Sequence, residues 1–174
     1  MLLATVALLG AIAIGLLVAA AVFMVGMRRK WPWVQGAVVW VSRAVIDPRQ
    51  MRSAGKPGAY ASVICHRGRT SGRTYETPVG AVPTADGFVV ALPYGRRVSW
   101  LRNVLASGSA TIIHEGGVFE VDRPEVVTMA SVAGIFSPGD QRSHRLFGVE
   151  ECLRVRRTAE AVFPREAGLG WRAV

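Results

Sequence analysis

Apolar residues follow three different rhythms along this chain. From Leu2 to Met27 no side chain is charged, and nearly every residue is Leu, Ala, Val, Ile or Gly. Crossing a hydrocarbon core takes about 20 such residues. A cleaved signal peptide has a basic start and an apolar core of about 7–15 residues. This run has no early Lys or Arg and is longer, so an uncleaved transmembrane helix is expected. Arg28, Arg29 and Lys30 follow at once, which by the positive-inside rule places the remainder in the cytoplasm. Next, Val34, Ala37, Val38, Val41 and Val45 recur at helical spacing beside Trp31, Trp33 and Trp40. That helix suits the bilayer interface and packing on a folded domain equally well. Asp47-Pro48 is expected to end it, and Arg49 to Pro57 reads as a linker.

From Ala59 the rhythm becomes that of strands. Ala61 to Cys65 alternates, Thr74 to Pro83 reads as a second strand, and Asp86-Gly87 signals a hairpin. Phe88 to Pro93 is apolar throughout, as in a strand buried on both faces. Trp100, Leu101, Val104 and Leu105 then mark a helix, with Ser99 as its expected N-cap and Ser107-Gly108 as its end. Ala110 to His114 and Val118 to Arg123 alternate around Glu115-Gly116-Gly117, a second hairpin. Pro124 suits the start of a helix over Val126 to Phe136. Ser137-Pro138-Gly139-Asp140 reads as a loop, and Glu151 to Arg157 as a closing strand. The expected class is α+β, with the short antiparallel strands closed into a small barrel that hides their edges. The expected divisions are an anchor over 1–27, a helix and linker over 28–57, the barrel over 58–157 and a tail over 158–174.

Composition narrows the partners. The 174 residues carry a net charge of +9, which points to an acidic ligand or an anionic membrane face. The arginines are scattered and no nucleic-acid motif is present, so nucleic acid is not expected. Cys65 and Cys152 form no paired motif and read as buried thiols of a cytosolic domain. His66, His114 and His144 lack metal-ligand spacing, and no metal is expected. Ser71 lies in no G-x-S-x-G elbow, and Glu76 and Glu120 read as exposed strand carboxylates.

Two stretches carry candidate chemistry. In HRGRTSGRTYETP, residues 66–78, basic and hydroxyl side chains crowd a glycine-containing turn. Such a turn offers guanidinium forks and backbone N–H groups to phosphate oxygens, or it is a solvated hairpin. In LPYGRRVSWLRN, residues 92–103, a strand ends, Gly95 frees the backbone, and Arg96 and Arg97 precede a helix. A helix N-terminus has unpaired N–H groups and a positive dipole end, so this stretch favours anion binding. Tyr75 and Tyr94 are candidate proton donors.

Together, RGRTSGRTYETPV and FVVALPYGRRVSWLRNVLASGSATI resemble the deazaflavin-dependent nitroreductase family, over roughly Ala59 to Arg157. The resemblance implies an antiparallel split β-barrel, akin to FMN-binding oxidoreductases, and coenzyme F420 as cofactor, with FMN as the alternative. It assigns Arg69, Thr70, Ser71, Gly72 and Arg73 to one side of the cofactor's phosphate and acidic tail. Tyr94, Gly95, Arg96 and Arg97 take the other side, and Thr77, Pro78, Trp100 and Asn103 shape the deazaflavin cleft. The chain departs from the family in two places. SHRLFGVEECLRV has no tyrosine where family members carry several against the nitro substrate, and the loop GRRVSW is short. The implied activity is hydride transfer from reduced F420 to a lipophilic acceptor such as a quinone, or a nitro or enone compound. Tyr94 or Ser99 would be the proton donor, and membrane lipid would hold the N-terminal helix. A non-catalytic binder of F420, a flavin or another tailed ligand is the rival, and a homodimer is left open.

Overall fold

The structure is a computed structural model that describes residues 2–41 and 47–158. Residues from 159 onward, expected as a tail, and residues 42–46, expected as the last part of a helix, lie outside the described residues. Helix α1 (Leu2–Arg28) leads into α2 (Pro32–Val41). One 20-residue stretch of α1, Leu9–Arg28, is long and apolar enough to cross a membrane, and almost all of it is exposed. Helix α2 folds back on the end of α1, where Gly26 leaves room for Val34. Trp31 and Trp33 stack 5.9 Å apart. Asp47-Pro48 opens the short α3 (Asp47–Gln50). The expected linker is docked: Gly55 N–H donates to Ala61 O at 2.7 Å, and Gly116 N–H donates to Gly55 O at 2.6 Å.

Seven strands follow: β1 (Ser62–Arg67), β2 (Thr74–Val79), β3 (Ala81–Pro83), β4 (Gly87–Ala91), β5 (Ser109–His114), β6 (Gly117–Thr128) and β7 (Glu151–Arg157). They form one sheet in the order β2-β1-β5-β6-β7-β4-β3, with every pairing antiparallel. The two edge strands, β2 and β3, are separated in sequence by Gly80 alone. The sheet must therefore curl until its edges meet at that residue, giving a half-barrel tied shut by its own chain. The single strand expected over 74–83 is thus two strands serving opposite edges of the sheet.

The barrel interior holds Ile64, Phe88, Val90, Ile112, Val121, Leu153 and Val155, and helix α4 (Ser99–Ser107) adds Leu101 and Val104. Each is at most 2% exposed, and burying a side chain of this size stabilises by roughly 1.5–3 kcal/mol. A second cluster gathers Val89, Val132, Phe136 and Cys152 under α5 (Met129–Val132). β4 is therefore covered on both faces, Phe88 and Val90 in one cluster and Val89 in the other, which explains its unbroken apolar run. The β4–β7 pairing is tight. A Cβ on Gly87 would lie 1.9 Å from Val155 O, so glycine is needed there for close approach. Both cysteines are free and shielded, Cys65 partly and Cys152 fully.

Two expectations are corrected between Pro124 and Phe147. β6 runs through Pro124 to Thr128, and only Met129–Val132 is α-helical. A bulge between Asp122 and Glu125 absorbs the proline, with Arg123 at φ 50°; the missing N–H of Pro124 is tolerated where pairing is already interrupted. Ser137-Pro138-Gly139-Asp140 is not a loop but the first turn of helix α6 (Pro138–Phe147). Ser137 Oγ accepts from Asp140 N–H at 3.1 Å and donates to Asp140 Oδ2 at 2.7 Å, while Pro138 occupies the first turn. The far end of α6 is tied to the end of α1. Arg28 Nη1 donates to Arg145 O at 3.5 Å, and Lys30 Nζ pairs with Glu150 Oε2 at 2.7 Å.

Candidate functional site

A cleft of about 330 Å³ opens where β2 and β3 bend apart. Pro78, Val79, Gly80, Ala81 and Val82 line one part of it, and Val90, Leu92, Tyr94, Gly95, Val98 and Trp100 another. Helix α6 contributes Asp140 and His144, Phe136 lies two residues before it, and Tyr60, 80% exposed, stands at the rim. Most lining residues are apolar because this is the open end of the barrel core, but polar atoms make up about half of the cleft's surface.

One border of the cleft leads into the basic loop. Gly95–Arg97 form a single 3-10 turn and α4 starts directly after it. Val98, not Ser99, occupies the N-cap and gives no side-chain hydrogen bond, which leaves the first-turn N–H groups without a cap. Ser99 is the first helical residue and is exposed. Arg96 is engaged: Nη2 and Nε meet Glu151 Oε1 at 2.6 and 2.8 Å, and the guanidinium holds the Glu151 carboxyl below the usual carboxylate range. The Arg97 guanidinium is exposed and has no partner among the described residues.

The turn between β1 and β2 is joined to the same helix. Asn103 Oδ1 accepts from the Arg69 N–H at 3.2 Å and from Arg69 Nη1 at 3.0 Å. Asn103 Nδ2 lies 3.3 Å from His66 Nδ1, and His66 Nε2 lies 3.3 Å from Thr77 Oγ1. Since Nδ2 can only donate, His66 Nδ1 accepts and Nε2–H donates to Thr77. Burial lowers the His66 pKa, in keeping with this neutral ring. Asn103 and Thr77 therefore hold the turn against α4 rather than line the cleft. Within the turn, Ser71 Oγ lies 3.0 Å from Tyr75 Oη and accepts from the Arg73 N–H at 3.3 Å. Tyr75 stacks on His66 with ring centroids 5.9 Å apart.

Of the residues singled out from sequence, Pro78, Tyr94, Gly95 and Trp100 line the cleft. Arg69, Thr70, Ser71, Gly72, Arg73, Thr77, Arg96, Arg97, Ser99 and Asn103 do not. Asn103 sits one helical turn beyond Ser99, about 6 Å along the axis, so both basic stretches attach to the first half of α4. Sequence reasoning missed Tyr60, Phe136, Asp140 and His144. The signal for the last two was the Ser137-Pro138-x-Asp140 pattern, a helix start that carries His144 one turn further along.

No family model and no curated protein matches the chain. Among solved structures, one described as an F420 reductase is similar to it, with 12% identity and a TM-score of 0.42. The match covers 62% of this chain and 92% of that one.

Proposed function

We propose that the protein is a reductase that uses reduced coenzyme F420 to deliver hydride to a lipophilic acceptor, with a quinone as the favoured class. The carrying observation is a cleft of mixed apolar and polar surface bordered by the uncapped start of α4 and a basic loop, with a second basic turn bound to that helix through Asn103. A cleft of about 330 Å³ lies at the small end of ligand sites, which run from about 300 to 1,000 Å³. That size suits a ring system whose tail runs outside, over Arg97 and the turn at Arg69 to Arg73. The donor set fits such a tail: guanidinium groups and free N–H groups bind phosphate and carboxylate oxygens. FMN has a similar tricyclic ring and a phosphate but lacks the acidic tail, so the second basic turn favours F420.

When bound, the coenzyme supplies the hydride. The chain's own contribution is positioning. Pro78, Ala81, Val82 and Trp100 give apolar walls that exclude water, and Arg97 with the α4 N–H groups would fix the phosphate. The acceptor class follows from the membrane reading of α1, whose last turn is tied to α6, itself a wall of the cleft. A lipid-soluble acceptor leaving the bilayer beside α1 would meet that wall first.

The test is a fluorescence titration of the full chain in detergent with oxidised F420. Saturable micromolar binding, weakened by Arg97→Ala and by added salt, is expected. Absence of binding overturns the reading. Binding with no turnover on quinone, nitro and enone acceptors would favour the storage role instead.

A further inference from the structure

We propose that α2 and α6 together form a lipid-docking face that seats the folded domain on an anionic bilayer surface. The inference rests on the spanning reading of α1 and goes beyond it, because it assigns a second membrane contact to the domain itself. In α2, Trp33, Ala37 and Trp40 stand at i, i+4 and i+7 and are all exposed, so they share one outward face. Trp33 is 63% exposed and Trp40 70%, a large apolar area to leave without a partner. Val34 turns the other way and is buried against Gly26 of α1. In α6, Arg142, Arg145 and Leu146 stand at i, i+3 and i+4 and are likewise exposed, Leu146 by 49%. Asp140 and His144 line the cleft from the opposite side of that helix.

Both helices meet the last turn of α1. Val34 reaches Gly26, Arg28 Nη1 donates to Arg145 O at 3.5 Å, and a Cβ on Gly148 would stand 3.4 Å from Arg28 Cα. The two exposed faces therefore begin where the apolar stretch Leu9–Arg28 ends. A spanning helix emerges there among headgroups, the level that indole rings favour and where basic side chains meet lipid phosphate.

Charge selects the occupant. Arg28, Arg29, Arg142 and Arg145 are all exposed at this end. Of the carboxylates nearby, Glu150 is paired with Lys30 at 2.7 Å, and Asp140 is held by Ser137 Oγ on the cleft side. What remains is a cationic face interleaved with tryptophan and leucine, the chemistry of a helix lying on anionic lipid. A second copy of the chain would set these arginines against their own kind. A bilayer needs no separate shaped partner and is continuous with the exposed apolar side chains of α1.

The experiment uses the full chain in nanodiscs whose lipids carry brominated acyl chains, which quench indole emission on contact. The discs are phosphatidylcholine alone or phosphatidylcholine with phosphatidylglycerol. Emission lost when Trp33 and Trp40 become Phe reports on α2, and emission gained in Leu146→Trp reports on α6. Both are expected to be quenched in the anionic discs. Arg142→Gln and Arg145→Gln are each expected to lower the ratio of quenched to unquenched α6 indole about fivefold, and omitting phosphatidylglycerol has the same direction of effect. All these positions are exposed, and melting curves check that the variants fold. An α6 indole that stays bright in anionic discs overturns the proposal, as does quenching indifferent to both arginines and to phosphatidylglycerol. A chain stripped from the discs by high salt would sink the spanning reading of α1 and the proposal with it, whereas a retained chain with a bright α6 indole sinks the proposal alone. No coenzyme is present, so neither outcome bears on F420 binding.

Discussion

Replacing Asn103 with leucine removes the bracket that holds the β1–β2 turn on α4. Asn103 is 6% exposed, accepts two hydrogen bonds from Arg69 and donates one to His66. Each bond contributes about 0.5–1.5 kcal/mol, and the variant also leaves the buried His66 Nδ1 unpaired, so a loss of roughly 2–4 kcal/mol is expected. For a chain of this size that lowers Tm by about 5–15 °C. Urea denaturation at neutral pH measures the cost. A loss below about 0.5 kcal/mol, the level of an ordinary surface change, would refute the bracket. Asn103→Asp sharpens the test. In the wild type the folded His66 pKa is lowered, while the unfolded value is about 6.5. Between the two, the unfolded chain binds the extra proton, so stability falls as pH drops below about 6.5. An aspartate at 103 accepts from the imidazolium instead, which raises the folded pKa and removes this part of the acid loss. Identical pH slopes for wild type and Asn103→Asp would show that His66 is not held neutral by Asn103.

Other consequences follow from single contacts. Glu151→Gln releases Arg96 from its pair and is expected to tighten F420 about fivefold, ~1 kcal/mol, in the same titration that shows weakening by Arg97→Ala; unchanged affinity would place the tail elsewhere. Gly87→Ala drives a methyl group into Val155 O and should cost on the order of 3 kcal/mol in denaturant melts; a neutral result would contradict the β4–β7 spacing. Burial pushes the Cys152 thiol up to about 11, and burial with Glu76 and Glu120 pushes Cys65 up to about 12. Because the thiolate is the nucleophile, neither should react with a thiol reagent at neutral pH until the protein unfolds, and rapid labelling of native protein would count against the packing.

The fold was largely legible where a residue pattern reports on its own segment. The apolar run of α1, the doubly buried β4 and the Glu115-Gly116-Gly117 hairpin are local features, and all are present. What escaped depended on distant partners. Nothing in the alternation of Thr74 to Pro83 says that its halves bond to opposite edges of a sheet. Pro124 resembles a helix start because a bulge that accommodates proline is set by strand pairing, not by neighbours in sequence. Helix α6 was hidden by its own cap, since Ser-Pro-Gly-Asp composes turns and helix starts alike. With α6 unread, Asp140 and His144 could not be placed. At the candidate site, the residue types of both basic stretches were legible, but not how they are spent. Arg96 faces Glu151 and Asn103 holds Arg69, pairings made across 55 and 34 positions of chain.

Whether the ring sits in this cleft is decided by comparing oxidised F420 binding to the wild type and to Gly80→Trp. Gly80 lines the cleft at the bend between β2 and β3, and nothing stands within 4 Å of an added Cβ, so the indole can enter the cleft without displacing the backbone. Micromolar binding by the wild type, its loss in Gly80→Trp, and similar melting curves for both are expected. Equal binding by the two proteins would put the ring somewhere other than this cleft.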